Sequence, residues 1–138
     1  MPSPGRRSGR GLAAVLFADM VGYSALMQKD EHHAVRARNR FRRAVAEAAT
    51  GHGGEVIQHY GDGVLLVFGS AAGAAAAGVA IQERVRRDRP VDVRIGIHLG
   101  DVVRDSEGVY GDGVNIAARV ESACPAGSIL VTATVAEQ

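Results

Sequence analysis

Residues 55–69 read EVIQHYGDGVLLVFG: two apolar segments joined by Gly61-Asp62-Gly63. A short acid-glycine link between apolar runs is a hairpin signal, so this stretch predicts two antiparallel strands with Asp62 at the tip. Upstream, Ala34, Ala37, Phe41, Val45 and Ala48 recur at helical spacing between Asp30, a suitable N-cap, and Gly51, a suitable stop. Before that helix, LAAVLFADM (residues 12–20) is an apolar run ending in an acid, as expected of a buried strand that delivers Asp19 to its edge. Downstream, the alanine-rich stretch from Ser70 to Asp88 predicts a helix whose small residues allow close packing on a sheet. VDVRIGIHLGDVV (91–103) predicts a strand, residues 112–123 a helix, and SILVTATV (128–135) a last strand. The order predicts an α+β fold, a ferredoxin-like βαββαβ sheet with helices packed on one face.

The chain has 138 residues, 46% of them hydrophobic, which suits one core and one domain. Sixteen Lys and Arg against fifteen Asp and Glu give a net charge of +1, without the excess a nucleic-acid binder generally carries. Nucleic acid is not an expected partner, and the arginines 36, 38, 40, 42 and 43 read as the solvated face of their helix. The single cysteine, Cys124, has no intramolecular partner, and no apolar run approaches the roughly 20 residues that span a bilayer. The segment is expected to be soluble and cytoplasmic, with no membrane contact. Residues 1–11, MPSPGRRSGRG, read as a flexible basic tail and 12–138 as the domain.

Asp19 at a strand end and Asp62 at a hairpin tip of the same sheet can converge on divalent cations that bridge a triphosphate; hard oxygen ligands suit Mg²⁺ or Mn²⁺. Acids in turns are common, so the pair alone also fits a structural role. After Asp19, Gly22 permits a close turn into a helix whose first N–H groups can face an anion. Asn115 and Arg119 stand four apart on a predicted helix and so project from one face, while Glu121, two residues on from Arg119, points elsewhere. His98 reads as a sheet residue with a satisfied ring, and Cys124 as a small packing residue.

FADMVGYSALM, YGDGVLLVF, and RIGIHLGDVV followed by VYGDGVNIAARVES resemble the three ordered signatures of the class III adenylate/guanylate cyclase catalytic domain. The likeness runs from Leu12 to Gln138. It implies that Asp19 and Asp62 bind two Mg²⁺ or Mn²⁺ ions with help from the Met20 carbonyl, and that the amides around Val21, Gly22 and Tyr23 hold phosphate. It implies further that Asn115 orients the ribose and Arg119 meets charge on the reacting phosphate. It also implies a head-to-tail homodimer in which one subunit supplies the aspartates and the other the Asn, the Arg and the purine-reading pair. The implied activity is cyclisation of ATP or GTP with release of pyrophosphate.

The purine-reading positions hold Gln58 and Gly108, where adenylate cyclases carry Lys and Asp or Thr. Glu107 could stand in for Gly108 only by a one-residue shift of its loop. Lys29 is the only lysine, so the family's triphosphate-gripping lysine is expected beyond Gln138, as are the terminal strands. These departures keep open an alternative, a catalytically weak or inactive dimerisation or nucleotide-sensing module.

Overall fold

A computed structural model of the chain describes residues 9–87 and 91–138. In chain order these form β1 (Gly9–Met20), α1 (Tyr23–Lys29), α2 (Glu31–Gly51), β2 (Gly54–Tyr60), β3 (Gly63–Phe68), α3 (Ala71–Val85), β4 (Val93–Asp105), β5 (Gly108–Tyr110), α4 (Asp112–Ala123), β6 (Ile129–Val131) and α5 (Ala133–Ala136). The sheet order is β2-β3-β1-β4-β5, with β6 added parallel to β4. Its four central strands are the antiparallel arrangement expected of a split βαβ pattern.

Local chemistry sets the ends of the helices. The Asp30 carboxylate accepts from the His33 N–H at 3.0 Å and starts α2; Ser70 Oγ accepts from the Gly73 N–H at 3.0 Å and starts α3. Strand alternation then divides the core. Ala14, Leu16, Ala18 and Met20 of β1 face α2 and α3 together with Leu66, Ile95 and Ile97, whereas Val15, Leu65, Val67 and Val102 face the other way. Both faces are covered, which is why Val64–Phe68 is apolar throughout rather than alternating.

Four elements differ from the sequence expectation. The first strand begins at Gly9, so residues 9–11 pair with β4 instead of belonging to a tail; residues 1–8 lie outside the described residues. Helices α2 and α3 occupy one face as expected, but α4 lies on the other with Ala117 and Val114 against Val15 and Leu65. That placement depends on Gly96: a Cβ there would sit 2.6 Å from Glu121 Cα, so only glycine admits the α4 backbone to β4. The stretch 128–135 is a strand only at Ile129–Val131. Thr132 N–H gives the last bond, to the Ile97 carbonyl at 3.1 Å, and the chain then coils into α5 so that Val135 enters the core. Finally, the connection before α4 contains the short strand β5, paired with the end of β4.

Gly96→Ala is expected to destabilise the chain by about 2–3 kcal/mol, since the obstacle is backbone and cannot rotate away. Thermal or urea unfolding, read by circular dichroism, checks the value; an unchanged midpoint would show that α4 moves freely on β4.

Candidate functional site

The site forms where β1 and the β2–β3 hairpin end together. Asp19 stands opposite Gly63 on one side and Arg94 on the other. Tyr60 pairs with Gly63, so the expected hairpin closes through the two residues Gly61-Asp62, with Gly63 already in the strand. Two bonds hold the turn in place: Met20 N–H donates to the Asp62 carbonyl at 3.1 Å, and Arg42 Nη2 of α2 donates to the Gly61 carbonyl at 3.3 Å. Asp19 and Asp62 are therefore brought to one edge. Met20 buries its side chain in the core, so its backbone is fixed beside both aspartates.

Arg94 is the principal feature that sequence reading missed. Its Nε and Nη2 donate to the two Asp19 oxygens at 3.2 and 3.0 Å, a bidentate fork, and its Nη1 donates to the Ser122 carbonyl at 3.3 Å. The hydrogen bond to Asp19 is the main reason its guanidinium pKa is raised. The available signal was the strand pattern: Arg94 is a cation between Val93 and Ile95, on the same face as Asp19 once the antiparallel register is known.

Glu121 was also passed over. It points from α4 back toward the sheet, buried, with Oε1 lacking a hydrogen-bond partner and lying 3.7 Å from Arg94 Nε, too far for a bond. Burial is the first cause that raises its pKa, to about 8; hydrogen bonding to Asp19 and the negative charges of Asp19 and Asp62 add to it, and Arg94 opposes them. These causes bias Glu121 toward its neutral form, and three carboxyl groups share this edge with one guanidinium.

Asn115 and Arg119 both lie on the exposed side of α4, four residues apart, while Glu121 faces inward. Among the described residues, no bond joins either of them to Asp19 or Asp62. Of the three amides expected to hold phosphate, that of Val21 is committed to the Asp92 carbonyl at 2.8 Å. Gly22, at φ 74°, begins α1, and Tyr23 is its first residue; first-turn N–H groups have no acceptor inside a helix.

Gln58 and Gly108, the positions expected to read the purine, lie on separate hairpins. A bulge in β2 places Val56 opposite Leu66 but Gln58 opposite Leu65, so Gln58 turns to the face that carries Asp19. Its Oε1 accepts from the Tyr60 hydroxyl at 3.3 Å. Gly108 begins β5 opposite Asp105 with φ 135°, a conformation that side chains resist. Glu107 N–H donates to Asp105 Oδ1 at 2.8 Å, and Tyr110 hydroxyl bonds the other Asp105 oxygen. A one-residue shift that put Glu107 in place of Gly108 would break both the β4–β5 pairing and this turn. His98 donates or accepts through Nδ1 with Thr132 Oγ1 at 2.9 Å, as fits a satisfied sheet histidine, and burial lowers its pKa.

Because the Glu121 pKa is raised from the ordinary carboxylate range to about 8 in the folded chain, folding is expected to take up a proton between those limits. Stability contributed at this position is greatest at low pH and declines until about pH 8, then levels. Glu121→Gln is expected to remove that decline and raise the melting temperature of the metal-free protein at pH 8 and above. Melting curves of both proteins from pH 5 to 9 check it; parallel curves would mean that Glu121 is ionised throughout.

A family model for the adenylate and guanylate cyclase catalytic domain matches residues 10–138. A putative adenylate cyclase 3 of Rhizobium meliloti is 41% identical over 134 residues, covering 89% of this chain and 22% of the relative. An adenylate cyclase of Streptomyces coelicolor is 31% identical over 91% of this chain and 33% of its own length. The chain therefore spans about a fifth to a third of these curated relatives. Among solved structures, the adenylate/guanylate cyclase/hydrolase of Silicibacter pomeroyi superposes with a TM-score of 0.80 at 35% identity, covering 93% of this chain and 79% of that one. The guanylyl cyclase Cya2 gives 0.84 at 29% identity, with 95% and 80% covered. No helix among the described residues is long and apolar enough to cross a membrane. With the ordered motifs, the sheet and these matches in agreement, the chain belongs to the adenylate and guanylate cyclase catalytic domain family.

Proposed function

We propose that the chain is a nucleotidyl cyclase domain that converts ATP or GTP to the 3′,5′-cyclic monophosphate and pyrophosphate. In this reading two divalent cations sit at Asp19 and Asp62, and two head-to-tail copies share the sites. The observation that carries it is the fixing of Asp19 and Asp62 at one sheet edge by the Met20–Asp62 backbone bond. The matched relatives bearing cyclase names support the same reaction.

The residues suit the ions. Two carboxylates and the Met20 carbonyl offer the hard oxygens that Mg²⁺ or Mn²⁺ prefer, and Arg94 on Asp19 marks the edge as one that draws positive charge. When bound, the ions would neutralise the triphosphate and acidify the ribose 3′-hydroxyl, which attacks the α-phosphorus as the bond to pyrophosphate breaks. Gly22 and Tyr23 would present amides to phosphate oxygens, with Val21 supporting the loop through Asp92. From the partner copy, Asn115 would orient the ribose and Arg119 would meet the charge that develops on the transferred phosphorus. Their exposure on α4 and lack of a bond to Asp19 or Asp62 within one chain support a shared site. Gln58 and Gly108 favour a second reading, a weakly active or inactive nucleotide-binding module, because neither supplies a fixed charge to a purine. A cyclase assay with ATP and GTP, each with Mg²⁺ and Mn²⁺, separates the two readings: nucleotide binding without product supports the module.

Asp19→Ala and Asp62→Ala are each expected to lower turnover by on the order of a hundredfold or more while leaving the fold intact. Mixing Asp19→Ala with Arg119→Ala subunits should restore up to one working site per heterodimer, because both defects then fall in the same site. No recovery despite proven subunit exchange would overturn the shared arrangement.

ATP and GTP are expected to differ in affinity by less than about tenfold, or ~1.4 kcal/mol. Gln58 can donate or accept, and Gly108 offers no side chain to the adenine amine. Competition titrations measure the ratio, and a much larger preference for either base would show that another group reads it.

A further inference from the structure

The backbone of Arg94 is held firmly at the start of β4. The neighbouring Val93 carbonyl accepts from the Gly127 N–H at 2.9 Å and from Gln82 Nε2 at 2.8 Å, and the Ile95 N–H donates to the Ser128 carbonyl at 3.3 Å. The register then sets Arg94 opposite Asp19, and its guanidinium closes on both carboxylate oxygens at 3.2 and 3.0 Å. The two side chains are 32% and 24% exposed, so the pair can open from the solvent side while the strand stays in place.

Two more acceptors surround the same guanidinium, both from the end of α4. The Ser122 carbonyl accepts from Nη1 at 3.3 Å. Glu121 Oε1, on a buried side chain and without a hydrogen-bond partner, lies 3.7 Å from Nε. A movement of about 1 Å would bring Nε within bonding distance of it. Arg94 thus has a second seat beside its first, with Ser122 as a tether between them.

A cation bonded directly to either Asp19 oxygen would meet the guanidinium within a few ångström, and a dication is repelled twice as strongly as a unit charge at the same separation. The fork and a directly bonded divalent ion therefore compete for one carboxylate. A monovalent ion brings no more charge than the guanidinium and lacks its paired N–H bonds, so the exchange favours a dication.

We propose that Arg94 is a resident counter-cation of Asp19, which a divalent ion displaces toward Glu121 when it binds. The proposal rests on the reading of Asp19 as a metal ligand. Arg94 is then a positioning residue: it keeps Asp19 paired and aimed, and it sets how readily this edge takes a divalent ion.

The test uses Mn²⁺ alone, without nucleotide, on the full chain. Binding is read from the electron paramagnetic resonance signal of the free ion and from the rise in melting temperature that the ion causes. Arg94→Met is expected to bind Mn²⁺ about tenfold or more tightly than the unaltered chain, with the larger melting shift. Arg94→Lys keeps the charge but cannot form the fork, and should bind about threefold more tightly. A side chain that merely braced Asp19 would weaken binding when removed, and one acting only through its field would leave the Lys variant unchanged; either result would overturn the displacement. Glu121→Met should weaken binding when Arg94 is present and change it little beside Arg94→Met. Equal effects in both backgrounds would rule out Glu121 as the second seat. Asp19→Ala separates the proposal from the reading beneath it. Undiminished Mn²⁺ binding in that variant, or no binding by any of the proteins, overturns the metal assignment itself. Binding that is lost in Asp19→Ala but not tightened in Arg94→Met overturns the displacement alone. Circular dichroism confirms that the variants are folded.

Discussion

The antiparallel ladder that runs the length of β1 organises everything else. This strand lies between β3 and β4 and pairs with β4 from Gly9 to Met20. Such a register allows no one-residue slip, since a slip would turn Leu16 and Ala18 out of the core and bring Asp19 into it. Once the register is set, Asp19 must lie between Gly63 and Arg94. The carboxylate gains its cation and its neighbour Asp62 from that single constraint. Helix α4 then follows through Gly96, where the absence of a side chain lets Glu121 approach the same edge.

The electrostatics of this edge balance closely. Arg94 satisfies both oxygens of Asp19, and the Glu121 pKa is raised because burial and two nearby acids make a third negative charge costly. A site arranged in this way keeps negative charge at its surface and tempers it beneath. The bonds from Arg42 to the Gly61 carbonyl and from the Met20 N–H to the Asp62 carbonyl decide where the second carboxylate stands. Hydrogen bonds to the carbonyls of the turn therefore fix the position of Asp62, and side-chain charge sets the electrostatics around it.

Gln58 and Gly108 illustrate how small backbone irregularities decide where a side chain is presented. In a regular β2, Gln58 would continue the alternation from Val56 and face the helices. The extra residue Ile57 turns it to the face of Asp19 instead. Gly108 owes its identity in part to its backbone, whose φ of 135° closes the β4–β5 hairpin. The missing side chain at that position is thus tied to the turn, and any contact with a base there must come from elsewhere.

The sequence by itself determined the strands and helices that carry long periodic or apolar runs, the hairpin tip at Asp62 and the place of Asp19 at the end of a strand, because those depend on local pattern and turn chemistry. Its order of elements also settled the central antiparallel sheet. Tertiary structure alone decided that Arg94 meets Asp19, that Glu121 is buried beside them, that α4 crosses to the second face and that Gln58 is turned by a bulge. Residues 132–135 took a helical turn despite a strand-like pattern, since Val135 reaches the core only that way. In each case the outcome rests on contacts between residues distant in sequence, such as Asp19 with Arg94 or Gly96 with Glu121. Burial, register and closeness of backbones are properties of the assembled sheet, and no window of neighbouring residues contains them.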